Sequence, residues 1–499
     1  MSARARAAVL IGALVALGCV AVPFFAATTF FGDDHLFLTF ARHVANPFRA
    51  FATDLHGGEY YRPLWMVLWW LLARGAGRAV FASAALVLHL AAGGLVFGLL
   101  RAVGRSPRVA WTAAALMVLS PQNLTAASWF SATTDLLATD LGLLALWAVV
   151  RGRWPVVLLA TAAACLSKES AYVLPALSVV VLVARDGRRP RGRAWAKPAA
   201  QLAIVAAVAA ARRIVLHGWG GSGEPGPILS GRLAQIAAGL AKTFTGDEVV
   251  PIPLALGIGV AILALCLWSA ARRGGGAGRF APLAFAAVAA GPLLAAGWAV
   301  GARYDYWPSV GLCWAVAEAT ESAGAAARLT LGAALLLLGV AQAAARRQEV
   351  VSYDRRLAAA RRAVRAGLAA GHHVFHVDGG IKDLDLAVKE DPRLEAAGVL
   401  VLDDVPASFA IFPPGLAAAA RPLLAAPPIP PSGAYRFGDV QVVGLARRGE
   451  EPDLVEAFTW FPDLRLIRLM RARGGQVVAR DATERIRRVL DGDVEAGQD

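Results

Sequence analysis

Residues 7–31 read AAVLIGALVALGCVAVPFFAATTFF, preceded by Arg4 and Arg6 and followed by Gly32, Asp33, Asp34 and His35. No charge interrupts this run, and it exceeds the roughly 20 apolar residues a helix needs to cross the hydrocarbon layer. A cleaved export signal would carry a shorter apolar centre of about 7–15 residues ending in a small-residue cleavage triplet. No convincing A-x-A triplet ends the run, so it reads as a first membrane helix. Similar apolar stretches recur near 79–100, 109–121, 131–150, 154–167, 171–184, 198–217, 251–271, 280–300, 307–320 and 327–345, which makes about eleven spans by hydropathy. The segment from Leu64 to Ala73 is too short to span and reads as an interfacial or re-entrant helix.

Composition agrees with a lipid-facing chain. Of 499 residues, 57% are hydrophobic and 17% charged, against about 25% charged in ordinary soluble domains. A single soluble core stops growing at roughly 250–300 residues, so the excess apolar surface must face something other than protein. A net charge of +14 in a soluble chain would point to nucleic acid, but here the arginines are confined to short connections and no nucleic-acid partner is expected. Cys19, Cys165, Cys266 and Cys313 all lie inside apolar runs, which leaves neither a disulfide framework nor a CxxC metal site.

The placement of arginine orients the chain. Arg101, Arg105 and Arg108 group together, as do Arg151 and Arg153, then Arg185 to Lys197, then Arg272, Arg273 and Arg279. The connections between these groups, near 121–130, 167–170, 218–250 and 301–306, are poor in basic residues. Arginine-rich connections stay in the cytoplasm, so the N-terminus is expected inside and an odd number of crossings puts the tail outside. Residues 1–345 thus form a polytopic α-helical membrane domain. Residues 346–499 change character, with mixed charge, a helical run through Arg355, Arg356, Arg361 and Arg362, and β-like runs at Val399 to Leu402 and Val440 to Val443 divided by proline turns. A small extracytoplasmic α/β domain is expected there.

The residues that sit poorly in a membrane carry the chemistry. Asp33 and Asp34 stand at the exit of the first helix, where paired carboxylates suit a general base or a cation ligand; two solvated loop acids are the plain alternative. Glu59, Tyr61 and Arg62 close the first outer connection. Lys168 and Glu169 sit between two apolar runs, where a charge usually needs a partner or a purpose; a structural ion pair at a helix turn is the plain alternative. Arg212 ends one span, either reaching outward to headgroups or binding a phosphate through its planar fork. Arg303 and Tyr304 allow the same two readings, an interface belt or a phosphate site. His372, His373 and His376 have spacing a metal could use, but with no fourth ligand marked an exposed strand or turn is the simpler reading.

Asp33-Asp34 after the first helix, Tyr61-Arg62-Pro63, Ser120-Pro121 with Trp129 and Asp135 beyond, Ser167-Lys168-Glu169 with Pro175, and Arg303-Tyr304 with Pro308-Ser309 together resemble the membrane-embedded GT-C glycosyltransferases. The likeness is to the protein O-mannosyltransferase-like and tetratricopeptide-bearing branch, and it covers about residues 1–345. The usual His or Asn after the Ser-Pro element reads Gln122-Asn123 here, and the tail shows no tetratricopeptide repeat. The resemblance implies an inverting transferase of a bacterial inner membrane that takes a sugar from a polyprenyl-phosphate donor to an extracytoplasmic protein, glycan or lipid. Asp33 would then be the base, with Asp34 its neighbour or a ligand for a divalent cation such as Mg or Mn, which some members need. Arg62, Lys168, Arg212 and Arg303 would contact the donor phosphate, supported by Glu59, Tyr61, Tyr304 and Glu169, which would orient Lys168. The rival class is a transporter or flippase of a lipid-linked or anionic solute, which would favour repeated halves and ionisable groups at mid-membrane; no repeated halves are found.

Overall fold

The computed structural model describes residues 30, 34, 37, 38, 41, 44–53, 60–75, 77–218, 229–246, 250–272, 276–294, 302–321, 325–378, 391–403, 433–437, 440–447, 453–459, 464–473 and 476–481. The first apolar run lies outside these residues except for Phe30. The chain divides into two compact units, Met1–Phe30 with Ala41–Glu349, and Phe31–Phe40 with Val350–Asp499.

The first unit is helical. Its helices are α1 (Pro63–Arg74), α2 (Arg78–Ala102), α3 (Pro107–Leu119), α4 (Pro121–Ser128), α5 (Thr133–Arg151), α6 (Trp154–Ser167), α7 (Leu174–Asp186), α8 (Ala196–Val215), α9 (Leu229–Lys242), α10 (Ile252–Arg272), α11 (Ala281–Ala290) and α12 (Tyr306–Ala319). Proline opens α1, α3 and α4, where its missing N–H costs nothing and its fixed φ suits the first turn. The Ser106 side chain caps α3 by accepting from the Val109 N–H at 3.2 Å. Gly152 and Gly187, with φ of 77° and 69°, end α5 and α7 in the left-handed region open to glycine.

Among the described residues, five stretches are long and apolar enough to cross a membrane: Arg78–Ala102, Phe130–Arg151, Gly192–Val215, Ile252–Arg272 and Gly276–Leu294. The other expected spans between residues 109 and 320 are helices too, but shorter. At 1.5 Å per residue, α7 with 13 residues reaches only about 20 Å of a roughly 30 Å core. The expected stretches 154–167 and 307–320 match α6 and α12 in length; hydropathy counts them as crossings although each is shorter than the roughly 20 residues a span needs. The run at Leu64 to Ala73 is indeed one short helix, α1. The connection 218–250 hides α9, whose Leu229, Leu233, Ile236 and Leu240 recur at helical spacing, a signal that could have revealed it.

Burial in this unit is inverted relative to a water-soluble protein. Leu159 and Ile214 are each 72% exposed, whereas Asp135, Asp140, Lys168 and Arg212 are buried. Such an arrangement suits a unit whose solvent is hydrocarbon. Polar side chains also join helices internally: Ser178 of α7 donates to the Gln201 carbonyl of α8, and the Gln201 amide donates to Thr161 of α6 at 3.0 Å. Without a hydrophobic drive between helices in lipid, such bonds and close backbone packing hold them together. Gly311 shows the packing: a Cβ there would press on the Ala286 backbone nitrogen and stand 2.7 Å from the Pro282 carbonyl oxygen. Backbone cannot step aside as a side chain can. Gly311→Ala is therefore expected to cost about 2 kcal/mol through overpacking, read as a lower midpoint of thermal aggregation in a fixed detergent; an unchanged midpoint would refute this contact.

A 45-residue helix, α13 (Ala325–Ala369), follows without a break where the sequence placed its domain boundary at 345/346. Arg346 and Arg347 end the apolar stretch but carry no helix stop, since arginine is a good helix former. In the second unit, β1 (His372–Asp378), α14 (Pro392–Ala396), β2 (Leu400–Asp403), β3 (Gly433–Phe437) and β4 (Val440–Arg447) come next. They form a sheet of order β2-β1-β4-β3. The β1–β2 pair is parallel (Val374↔Leu400), and β4 runs antiparallel to both β1 (Val377↔Val442) and β3 (Phe437↔Val440). A separate antiparallel meander joins β5 (Asp453–Thr459), β6 (Leu464–Arg473) and β7 (Gln476–Asp481). Tyr353, Leu357, Ala360 and Val364 of α13 pack with Phe375, Leu394 and Val399 as the core of this unit. His372 is buried in β1 rather than exposed, and among the described residues no three His, Cys, Asp or Glu side chains are grouped to hold a metal.

Candidate functional site

Two side-chain bonds bring the charged residues of the first unit together. The Trp65 indole of α1 donates to Thr133 at 3.0 Å, fixing α1 on the start of α5. Thr134, one residue on, donates to the Ser167 carbonyl at 2.8 Å, fixing α5 on the end of α6. These bonds bring the start of α1, where Arg62 stands just before Pro63, to the side of α5 and the end of α6 that carry Asp135, Lys168 and Glu169.

Lys168 is extended, with φ −162° and ψ 147°, and Glu169 opens the 3-10 turn Glu169–Val173. Successive side chains of an extended backbone point to opposite sides, so the expectation that Glu169 orients Lys168 is corrected. Lys168 instead pairs with Asp135, Nζ to Oδ1 2.6 Å, and lies 4.8 Å from the Tyr304 ring centre. Glu169 turns the other way and bridges two guanidiniums: Oε2 accepts from Arg62 Nε at 3.0 Å, and Oε1 accepts from Arg212. Arg62 also stacks over the Tyr60 ring at 4.4 Å.

The electrostatics follow from this sharing. Burial alone would raise the Glu169 carboxyl, but the charges of Arg62 and Arg212 outweigh it and hold the group down at about 2, against an ordinary 4.5. Burial opposes the Arg62 charge as well, yet Glu169 and, more weakly, Asp135 raise its affinity for the proton. Asp135 thus links the two ion pairs into one cluster. Among the described residues, Arg62, Lys168 and Arg212 share the two carboxylates Glu169 and Asp135. Asp135 Oδ2 is buried and has no hydrogen-bond partner among the described residues. Planar guanidiniums and an ammonium are the groups that suit a phosphate or carboxylate anion.

Of the residues expected from sequence, Arg62, Lys168, Arg212, Glu169 and Tyr304 come together. Tyr61 does not join them through its hydroxyl, which donates to the Phe51 carbonyl at 3.1 Å and ties down the preceding loop. Arg303 lies in the 3-10 turn Ala302–Asp305, immediately before Tyr304. Asp34 is fully buried; Asp33 and Glu59 lie outside the described residues. Asp135 was quoted in the motif pattern but given no part in the site; its signal was a carboxylate in the first turn of an apolar helix, where charge requires a partner. The chain matches no protein-family model and no curated protein sequence.

Proposed function

We propose that the protein is an inverting GT-C-type glycosyltransferase that moves a sugar from a polyprenyl-phosphate donor to an extracytoplasmic protein, glycan or lipid. The observation that supports this most is the convergence of Arg62, Lys168 and Arg212 from three separate elements into one buried cluster of ion pairs. A phosphate is both the handle and the leaving group of such a donor, and planar guanidiniums suit it. In the step proposed, an acceptor hydroxyl attacks the anomeric carbon from the face opposite the phosphate. Its proton passes to Asp33, the carbon–oxygen bond to phosphate breaks, and the phosphate leaves with the electron pair against the cation cluster. Asp34 neighbours the base, and Asp33 and Asp34 are the ligands for a divalent cation if one takes part.

The same reading places the N-terminus in the cytoplasm of a bacterial inner membrane, with about eleven crossings by hydropathy and residues 346–499 as an extracytoplasmic α/β domain. The transport reading has one observation in its favour: His89 and Asp140 are buried ionisable groups within two of the five long apolar helices.

The deciding experiment extracts lipids from the purified protein and identifies them by mass spectrometry, then measures binding of a polyprenyl-phosphate hexose. The expected result is a co-purified polyprenyl-phosphate sugar and a tenfold or greater loss of affinity in Arg212→Ala, a charge-assisted hydrogen bond being worth about 1.5–3 kcal/mol. No binding by the wild type, or equal affinity in wild type and variant, would count against the proposal.

A further inference from the structure

The connection between α7 and α8 carries charge that the ion-pair cluster does not use. Residues 185–197 read RDGRRPRGRAWAK, six basic side chains and one acid. The acid is already engaged: Arg185 donates to both carboxylate oxygens of Asp186, at 2.6 and 2.8 Å, and Arg188 adds a weaker attraction. Arg188, Arg189, Arg191 and Arg193 are all exposed. The ion pairs among the described residues include none of these four.

The connection is anchored at both ends. Arg185 Nη1 donates to the Val150 carbonyl at 3.1 Å and Lys197 Nζ to the Val149 carbonyl at 3.0 Å, so both satisfy carbonyls left over at the end of α5. Gly187 and Gly192, with φ of 69° and 52°, turn the chain on either side of residues 188–191. A Cβ at Gly152 would stand 3.8 Å from Lys197 Nζ, so the exposed Arg151 and Arg153 flank the same place. Apolar side chains reach the surface beside these cations. Trp154 opens α6 and Trp195 precedes α8; both are exposed, and Lys197 Nζ lies 6.0 Å from the Trp154 ring centre. Farther along the two helices Leu158, Leu159 and Leu202 are exposed, and the Gln201–Thr161 bond joins the helices there. From their first residues onward, both helices thus present arginine, then tryptophan, then leucine. A phospholipid presents phosphate, glycerol and acyl chain in that order, with tryptophan favoured at the level between headgroup and chain.

We propose that residues 188–197, with the starts of α6 and α8, form a binding site for anionic phospholipid headgroups. Planar guanidiniums pair with phosphate oxygens through two parallel hydrogen bonds, and each basic side chain near an anionic lipid surface strengthens binding about fivefold. The exposed leucines meet the acyl chains of the same lipid. A soluble acidic partner would match the charge but leave Leu159 and Leu202 uncovered. The site shares no residue with the Arg62–Lys168–Arg212 cluster and does not rest on sugar transfer.

The test uses the full-length protein in a neutral detergent, titrated with phosphatidylglycerol or with zwitterionic phosphatidylcholine, and counts bound lipid by native mass spectrometry. The wild type should hold phosphatidylglycerol at least tenfold more tightly than phosphatidylcholine. Arg188→Gln, Arg189→Gln, Arg191→Gln and Arg193→Gln combined should weaken phosphatidylglycerol binding at least tenfold, and should leave the melting temperature in lipid-free detergent unchanged because all four side chains are exposed. If the combined variant does not accumulate, Arg191→Gln with Arg193→Gln decides, with a loss of fivefold or more expected. Arg347→Gln with Arg355→Gln, two exposed arginines of α13, should bind as the wild type does. Equal affinity of the wild type for the two lipids, undiminished binding in the combined variant, or an equal loss in the α13 variant would overturn the site. So would a short oligonucleotide that binds more tightly than phosphatidylglycerol, in favour of a nucleic-acid partner.

Discussion

Glu169→Gln will leave the Arg62 and Arg212 guanidiniums, 11% and 10% exposed, facing each other without the carboxylate that bridges them. Removing one partner of a buried ion pair typically costs about 3–5 kcal/mol. Glu169 is itself a quarter exposed, so some water reaches the bridge, and the lower end, about 3 kcal/mol, is expected. The measurement is thermal stability of the solubilised protein in one detergent. Arg212→Met added to Glu169→Gln should recover part of the loss, because the repulsion disappears with the second guanidinium. If the single variant melts like the wild type, the bridge contributes nothing to the fold. The same pair gives a pH dependence with a definite sign. The Glu169 carboxyl titrates at about 2 when folded and near 4.5 otherwise, so its stabilisation is complete above pH 4.5 and is lost as pH falls from there towards 2. Glu169→Gln should flatten stability in that acid window and not above it.

Asp33→Asn will abolish sugar transfer while sparing donor binding, if the proposed chemistry holds. Asparagine keeps the shape of aspartate but cannot accept the acceptor's proton, and general-base catalysis contributes about 10² to 10⁴ in rate. The readout is the transfer rate from a polyprenyl-phosphate hexose, with donor affinity measured in parallel. Asp34→Asn beside it separates the two carboxylates: a matching loss means a shared proton or cation, and a small loss leaves Asp33 as sole base. Wild-type transfer in both variants would remove the mechanism at its centre and move the transport reading ahead.

Much of the helical content was legible in the sequence because the rule behind it is local. An unbroken apolar stretch with proline in its first turn makes a helix whatever surrounds it, as at Pro107–Leu119 and at Leu174–Asp186, the second closed by Gly187. Where a helix stops is less local: Arg346 and Arg347 look like a boundary, yet α13 runs through them because nothing there breaks a helix. The cations of the site were legible as well, since Arg62, Lys168 and Arg212 each stand where charge borders an apolar run. Their pairing was not. Lys168 and Glu169 are neighbours in sequence, and only the extended backbone at Lys168 sends one to Asp135 and the other to Arg62 and Arg212. Asp140 and His89 passed unremarked because a single polar residue inside an apolar run barely lowers its hydropathy. That His89 reaches Tyr306, 217 residues away in the chain, is a matter of helix packing. The sequence by itself determined which segments are apolar helices and which residues carry charge, because hydropathy and backbone preference act over a few residues. Tertiary structure decided which charges neutralise one another and which carboxylate lacks a partner, because those depend on distances between helices far apart in the chain.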